Sequence, residues 1–329
     1  MPIYNKRGSA ALYGYEYDIR MKHIFVVNPQ AGGRDESAYI TEQLKGIEAE
    51  TEVYVTRAPR DATRYVAERC ASGEALRFYA CGGDGTLNEV VSGVMKATDS
   101  PTSDLRPPTS IEVGCYPCGS GNDYVKNWPE RDFSNLRALI EGTAMPVDLL
   151  QVGDRYCVNV MNFGFEAEVC RTMERVRRWP LLGGKMAYVT GIVHCLLHKR
   201  HNPCRLTVDD EAWHSGDMLL GSAANGRFVG GGYQCAPRAV VDDGWLEAQC
   251  VDALSIARFL KMIGAYKRGE HLDRVDMHDV VHHRRARQMV FESDRDFSVV
   301  IDGELLSGSR FEVRLLPKVL NFIVPSTKN

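Results

Sequence analysis

The sequence holds no stretch approaching the ~18 consecutive apolar residues of a membrane-spanning helix, and no apolar core near its start of the kind a secretory leader carries. Those absences exclude an integral helical membrane protein and point to a cytoplasmic location, at most peripheral on the inner face of a membrane. A strong charge of either sign is also missing. Lys and Arg number 40 against 43 Asp and Glu, a net charge of −3, which removes the electrostatic ground for a nucleic-acid partner and makes any membrane contact local. No internal repeat or low-complexity tract occurs. The ten cysteines lack a framework spacing, which fits a reducing compartment better than disulfides. The lone Cys-x-x-Cys, Cys115 and Cys118, has no second pair to complete a zinc site, and no Glu follows His194 as a zincin pattern with His198 requires.

What is present is a set of glycine turns. Residues 76–81 form a short, mostly apolar run of strand length, followed by Gly82-Gly83-Asp84-Gly85-Thr86. Leu87, Val90, Val91, Val94 and Met95 then fall on one helical stripe, with Thr86 and Glu89 at capping-box spacing. Strand, glycine turn and helix start make an anion site, because amide N–H groups and the positive end of the helix dipole converge there. A carboxylate beside phosphates repels them unless a cation bridges the two or it accepts a proton, so Asp84 suggests magnesium or general-base work. The bland alternative is a tight turn with a solvated Asp.

Two more such turns flank it. Residues 23–27 read as a first strand running into Asn28-Pro29-Gln30-Ala31-Gly32-Gly33. A helix with Ile40, Leu44 and Ile47 on one face follows, then a strand over 52–56, then a helix with Asp61 as its N-cap and Tyr65, Val66 and Arg69 inside. After a loop over 98–109, a strand over 111–115 delivers Pro117-Cys118-Gly119-Ser120-Gly121-Asn122-Asp123. This alternation specifies a parallel sheet between helical layers, with all three turns on the edge where such sheets bind ligands. Cys118, inside a turn near helix-terminal N–H groups, is expected to be partly exposed and somewhat acidic.

At 329 residues the chain has room for two domains. The division runs as an N-terminal extension over 1–20, an α/β domain over 21–145, and a β-sandwich domain over 146–310, with 311–329 returning to the first. The second domain reads as short strands at 147–152, 156–161, 204–208, 218–223, 246–251, 289–292 and 297–301, interrupted by helical segments at 166–178 and 185–197. Two last strands follow at 311–316 and 320–324.

Asn28-Pro29-x-x-Gly32, Gly82-Gly83-Asp84-Gly85-Thr86 and Pro117-x-Gly119-x-x-Asn122-Asp123 resemble the soluble diacylglycerol kinase and sphingosine kinase superfamily. Val147-Asp148-Leu149, Asn159, Gly164-Phe165-Glu166-Ala167, Asp242-Asp243-Gly244 and Ile301-Asp302-Gly303-Glu304 follow in the family's order, so the resemblance covers 21–325. It implies an ATP-binding α/β domain, a β-sandwich that builds a lipid cleft, and Mg2+- and ATP-dependent phosphorylation of a lipid hydroxyl. It assigns nucleotide contacts to Asn28, Pro29, Gln30, Ala31, Gly32 and Thr56, to Gly82, Gly83, Asp84, Gly85, Thr86, Leu87 and Asn88, and to Gly119, Ser120, Asn122 and Asp123. It implies a magnesium site near Val240, Asp243 and Trp245, and a proton-abstracting centre at Glu304 with Asp302 and Asp148. Glu304 is the first choice of base and Asp84 the second.

Two positions depart from the pattern. Ser120 stands where Thr is common and keeps the hydroxyl. Ala31 stands where Ser is common and loses one bond to phosphate, worth ~0.5–1.5 kcal/mol. Taken alone, Asp302-Gly303-Glu304 is equally a hairpin turn. An NAD kinase and a silent lipid or nucleotide sensor remain as other readings. The lipid could be a diacylglycerol, a sphingoid base, ceramide or another long-chain alcohol. Arg171, Arg175, Arg177, Arg178 and residues 282–287 offer basic groups to an anionic membrane or form a solvated face. A homodimer stays open beside a monomer.

Overall fold

A computed structural model describes residues 21–98, 111–176, 195–196 and 201–327. The expected extension over 1–20, most of the loop over 98–109, nearly all of the helical segment over 185–197, and Arg177 and Arg178 lie outside these residues. Apolar, β-branched runs make the strands of the first half: β1 (Lys22–Val27), β2 (Thr51–Val55), β3 (Leu76–Gly82) and β4 (Ile111–Pro117). They pair in parallel in the order β2-β1-β3-β4. All seven residues of β3 are buried, as a central strand covered on both faces must be.

The connecting helices are α1 (Ser37–Leu44), α2 (Asp61–Cys70) and α3 (Asp84–Thr98), with a short α4 (Leu136–Ile140) beyond β4. Two expected caps are corrected. Asp61 is the first residue of α2, not its N-cap; Arg60 holds that place in a left-handed conformation, φ 66°. The Asp61 carboxylate accepts from the Arg57 N–H (2.9 Å) and the Tyr54 hydroxyl (2.9 Å) instead. Thr86 and Glu89 form no capping box, because α3 already begins at Asp84. The Thr86 hydroxyl accepts from Asn28 and the Glu89 carboxylate from the Arg60 N–H. Ile47 lies past the end of α1 but still packs on the core.

The second half is built on β5 (Thr143–Val152), β6 (Arg155–Cys157), β7 (Val160–Gly164), β8 (Asn202–Val208), β9 (Glu211–Ala224), β10 (Leu246–Asp252), β11 (Val281–Ala286), β12 (Gln288–Ile301) and β13 (Glu304–Val324). Its main run is β11-β10-β9-β7-β12-β13, antiparallel throughout, with β8 joining β9 and β12. Helix α5 (Phe165–Val176) and helix α6 (Ile256–Arg268) cover it. Helix α6 was not among the expected elements, although Ser255 caps its start and Gly269, φ 75°, its end.

The two strands expected at the end of the chain are one. β13 leaves β12, runs along β5 and reaches the first sheet beside β4, where Phe322 pairs with Val113. An irregularity between Leu316 and Leu320 is absorbed by Lys318, φ 54°, whose N–H donates to Asp148 Oδ1 at 2.8 Å. The boundary expected after 145 falls inside β5. That strand gives Val147 and Leu149 to the first core, and Leu150 and Val152 to the core of the sandwich.

Candidate active site

In a parallel sheet every strand ends on the same edge, and here the ends are level. Val27 pairs with Val55 and with Cys81, and Gly82 pairs with Pro117. Asn28, Thr56, the Gly82 turn and the Pro117 turn therefore leave the sheet side by side. Missing Cβ atoms let the turns interlock. A Cβ on Gly32, φ 62°, would overlap the Cys118 carbonyl oxygen, and one on Gly119 would overlap the Gly83 backbone. The Cys118 and Gly119 N–H groups both donate to the Gly82 carbonyl, at 3.0 and 3.1 Å. Asn28 Nδ2 donates to Thr86 Oγ1 (3.1 Å), and Asn28 Oδ1 accepts from the Gln30 N–H (3.0 Å). Asn122, φ 52°, closes its own turn by exchanging bonds with Gly119. Leu87 is buried in the first core, so only its backbone serves the turn, whereas Ser120 is exposed.

Asp84 holds the second turn to the third. Its Oδ1 accepts from the N–H groups of Asp123 (2.7 Å) and Tyr124 (3.0 Å), and Oδ2 faces Gly121. Burial, together with the neighbouring Asp123 and Asp302 charges, pushes its pKa up to about 6 against the pull of those two N–H bonds. Asp123 is buried and carries the third turn onward. Its Oδ1 takes Lys126 Nζ, and its Oδ2 takes the Gly231 N–H of the second half at 2.8 Å. Arg227 adds a bond to the Asn127 carbonyl at 2.7 Å.

Of the expected proton-abstracting group, only Glu304 is open to solvent. Its carboxylate bridges Arg60 Nη2 (3.1 Å) and Arg155 Nη1 (2.7 Å). Partial burial works to raise its pKa, but the two guanidinium groups prevail and hold it below the usual carboxylate range. Asp302 is buried and saturated with donors: Asn88 Nδ2 (2.8 Å) and the N–H groups of Val158 (2.6 Å) and Asn159 (3.0 Å). Asp148 is fully buried, with Oδ1 on the Lys318 N–H and Oδ2 on the Gly244 N–H. Both carboxylates hold backbone in place, and neither is free for a substrate hydroxyl.

At the expected magnesium residues, Val240 is exposed, while the Asp243 carboxylate accepts from the Trp245 N–H and pairs with Arg285. Arg285 and Arg287 also stack on the Trp245 ring. A guanidinium thus already sits on the Asp243 carboxylate, the one side-chain ligand expected there beside the Val240 and Trp245 carbonyls, and an ion would take its place. The basic run is engaged likewise: His282 with Asp252, His283 with Glu247, Arg284 with Glu211 and Arg171 with Glu168. Cys118 is half-buried, and its acidity is corrected. Burial and the charge of Glu36 push the thiol up to about 11.

Reasoning from sequence missed Arg60 and Arg155, and named Glu166 within a motif without giving it a role. The first two lie far from Glu304 in the chain and carry no local motif. Glu166 lies in the first turn of α5, beside the buried residues Phe165, Phe259 and Tyr266, accepts from Tyr266 (3.1 Å), and is raised by burial to about 7 with Asp123 adding to the shift.

The diacylglycerol kinase catalytic domain matches residues 22–152, and the YegS C-terminal NAD kinase beta sandwich-like domain matches residues 159–324. The chain belongs to the YegS-like lipid kinase family. It is an enzyme of the kinase class. A relative from Xanthomonas oryzae pv. oryzae (strain MAFF 311018), named "Probable lipid kinase YegS-like", is 31% identical over 299 residues, covering 87% of this chain and 90% of its own. A relative of the same name from Serratia proteamaculans (strain 568) is 28% identical over 308 residues, covering 92% and 93%. A solved diacylglycerol kinase structure from Bacillus anthracis str. Sterne superposes with a TM-score of 0.66 at 20% identity, covering 92% and 96%, a likeness of fold. In this YegS-like family member the first match spans the three turns and the second spans Glu304 and both capping helices of the sandwich.

Proposed function

We propose that the protein transfers the γ-phosphoryl group of MgATP to the hydroxyl of a diacylglycerol-like or sphingoid-like lipid, with Mg2+ entering as part of the nucleotide substrate. The observation that carries this reading is the interlock of three glycine turns on one sheet edge, with the Glu304 carboxylate held across the domain boundary by Arg60. Backbone N–H groups at such turns suit a polyphosphate, and the basic pair beside Glu304 suits the charge that develops as phosphate moves.

In the reaction the lipid oxygen bonds to the γ-phosphorus, the bond from that phosphorus to the β–γ bridging oxygen breaks, and ADP leaves. The hydroxyl proton passes to a carboxylate. Glu304 suits that role by position, being exposed at the boundary between the halves. Arg60 and Arg155 keep it ionised and can turn toward phosphate oxygens when these arrive. Asp84 suits the role by pKa, since a base poised near the working pH is the more effective one. Its Oδ1, however, is committed to two backbone N–H groups.

The decisive experiment offers the purified protein labelled MgATP with diacylglycerol, sphingosine and ceramide in mixed micelles, and NAD as a non-lipid acceptor. Label in one of the lipids supports the reading. Label in NAD would make it an NAD kinase, and nucleotide binding without transfer to any acceptor would make it a sensor.

A further inference from the structure

Away from the turns, at the far side of the sandwich, three strands bring together a ligand set that the kinase chemistry does not use. His214 on β9, Asp252 at the end of β10 and His282 on β11 place their ligating atoms within 4.8 Å of one another. His214 Nε2 lies 2.7 Å from Asp252 Oδ1, and His282 Nε2 lies 3.0 Å from Asp252 Oδ2. The two rings face each other with centroids 4.4 Å apart. Local backbone irregularity produces the convergence. The β9–β10 register shifts between Val251 and Asp252, and β9 turns at Gly216, φ 146°, so that the Ala253 N–H reaches the Asp217 carbonyl.

We propose that these three side chains bind one Zn2+ ion, which pins β9, β10 and β11 together at the edge of the sandwich. Two imidazoles and one carboxylate favour a borderline transition ion over Mg2+ or Ca2+, which take oxygen ligands. Metal bonds of ~2.0–2.1 Å in a tetrahedral site separate neighbouring ligand atoms by roughly 3.3–3.4 Å. The observed 2.7 and 3.0 Å, each to a different oxygen of Asp252, are short of that by a few tenths of an ångström, so each His–Asp pair widens by a small side-chain rotation to admit an ion, with all three ligating atoms already within 4.8 Å. Each ring then carries its proton on Nδ1, and a doubly protonated ring releases one proton to solvent. The side chains are 20–31% exposed, which gives the ion a path from solvent and leaves a fourth position for water. This site is independent of the lipid kinase reading.

The test titrates the full chain, stripped with chelator, with Zn2+ by calorimetry and with Co2+ by absorption. One ion per chain is expected, with a tetrahedral cobalt spectrum and no intense near-ultraviolet thiolate band, which separates this site from uptake by cysteine thiols. Melting temperature should rise with Zn2+ and not with excess Mg2+. His282→Gln and His214→Gln, each shown folded by circular dichroism, should each weaken Zn2+ at least ~10-fold, since even groups that only support a ligand cost that much. No stoichiometric uptake, a thiolate band, or unchanged affinity in both variants would overturn the site.

Discussion

Asn88 Nδ2 donates to Asp302 Oδ2 at 2.8 Å across 214 residues of chain, and the same amide donates to the Tyr156 carbonyl at 2.7 Å. One side chain on the helix behind the Gly82 turn thereby fastens both the β6 strand and the turn that presents Glu304.

Asp302→Asn is expected to act on stability before chemistry. The new amide would point a donor at backbone N–H groups that now meet a carboxylate, and each lost bond to a charged acceptor costs ~1.5–3 kcal/mol. A denaturant melt should show the loss, with turnover preserved in the fraction that stays folded. Abolished turnover in a fully stable variant would return Asp302 to the chemistry.

Gly119→Ala should separate the second and third turns. The added methyl meets the Gly83 backbone, which cannot yield as a flexible side chain would, and overpacking of this kind costs ~1–3 kcal/mol. ATP affinity measured by calorimetry should collapse along with a drop in melting temperature. Gly33→Ala makes the control for φ strain alone, because Gly33 has φ 79° and open space where a Cβ would sit.

The two candidate bases give different pH profiles. A base must be ionised, so its rate rises as pH climbs through its pKa. With Glu304 as base, kcat/KM should be level from neutral pH down past pH 5, because its pKa lies below the usual carboxylate range. With Asp84 as base, the rate should halve near pH 6 and fall tenfold per unit below it. Glu304→Gln should lower kcat by ~10²–10⁴-fold with ATP affinity kept in the first case, and only modestly in the second.

Cys118 should react slowly with iodoacetamide at pH 8, because its thiol titrates near 11 and little thiolate is present. The rate should rise about tenfold per pH unit up to that point. MgATP should slow it further, since Cys118 packs against Gly32 between two turns; equal rates with and without nucleotide would place the phosphates elsewhere.

The turns and the parallel sheet could be read from local sequence because each rests on neighbouring residues: an apolar run, then glycines, then a periodic helix. The caps could not. Arg60 and Asp61 exchange roles because Glu89, 29 residues on, accepts the Arg60 N–H. The function of carboxylates was hidden for the same reason. Asp84, Asp148, Asp302 and Asp243 look alike in sequence, yet donors from remote segments commit Asp148 and Asp302 to backbone, Asp243 to Arg285, and leave Glu304 exposed between two arginines. Helix α6 carries its own caps, Ser255 and Gly269, but lies between strands β10 and β11, in a half that reads largely as short strands.

β13 also decides when this protein can fold. It lies between β4 of the first half and β5, yet it follows every other described strand in the chain, so a nascent chain that has already made all three glycine turns still exposes an unpaired β4 edge. The first half closes only after Phe322 emerges from the ribosome. Until then that edge is open to pairing with another copy.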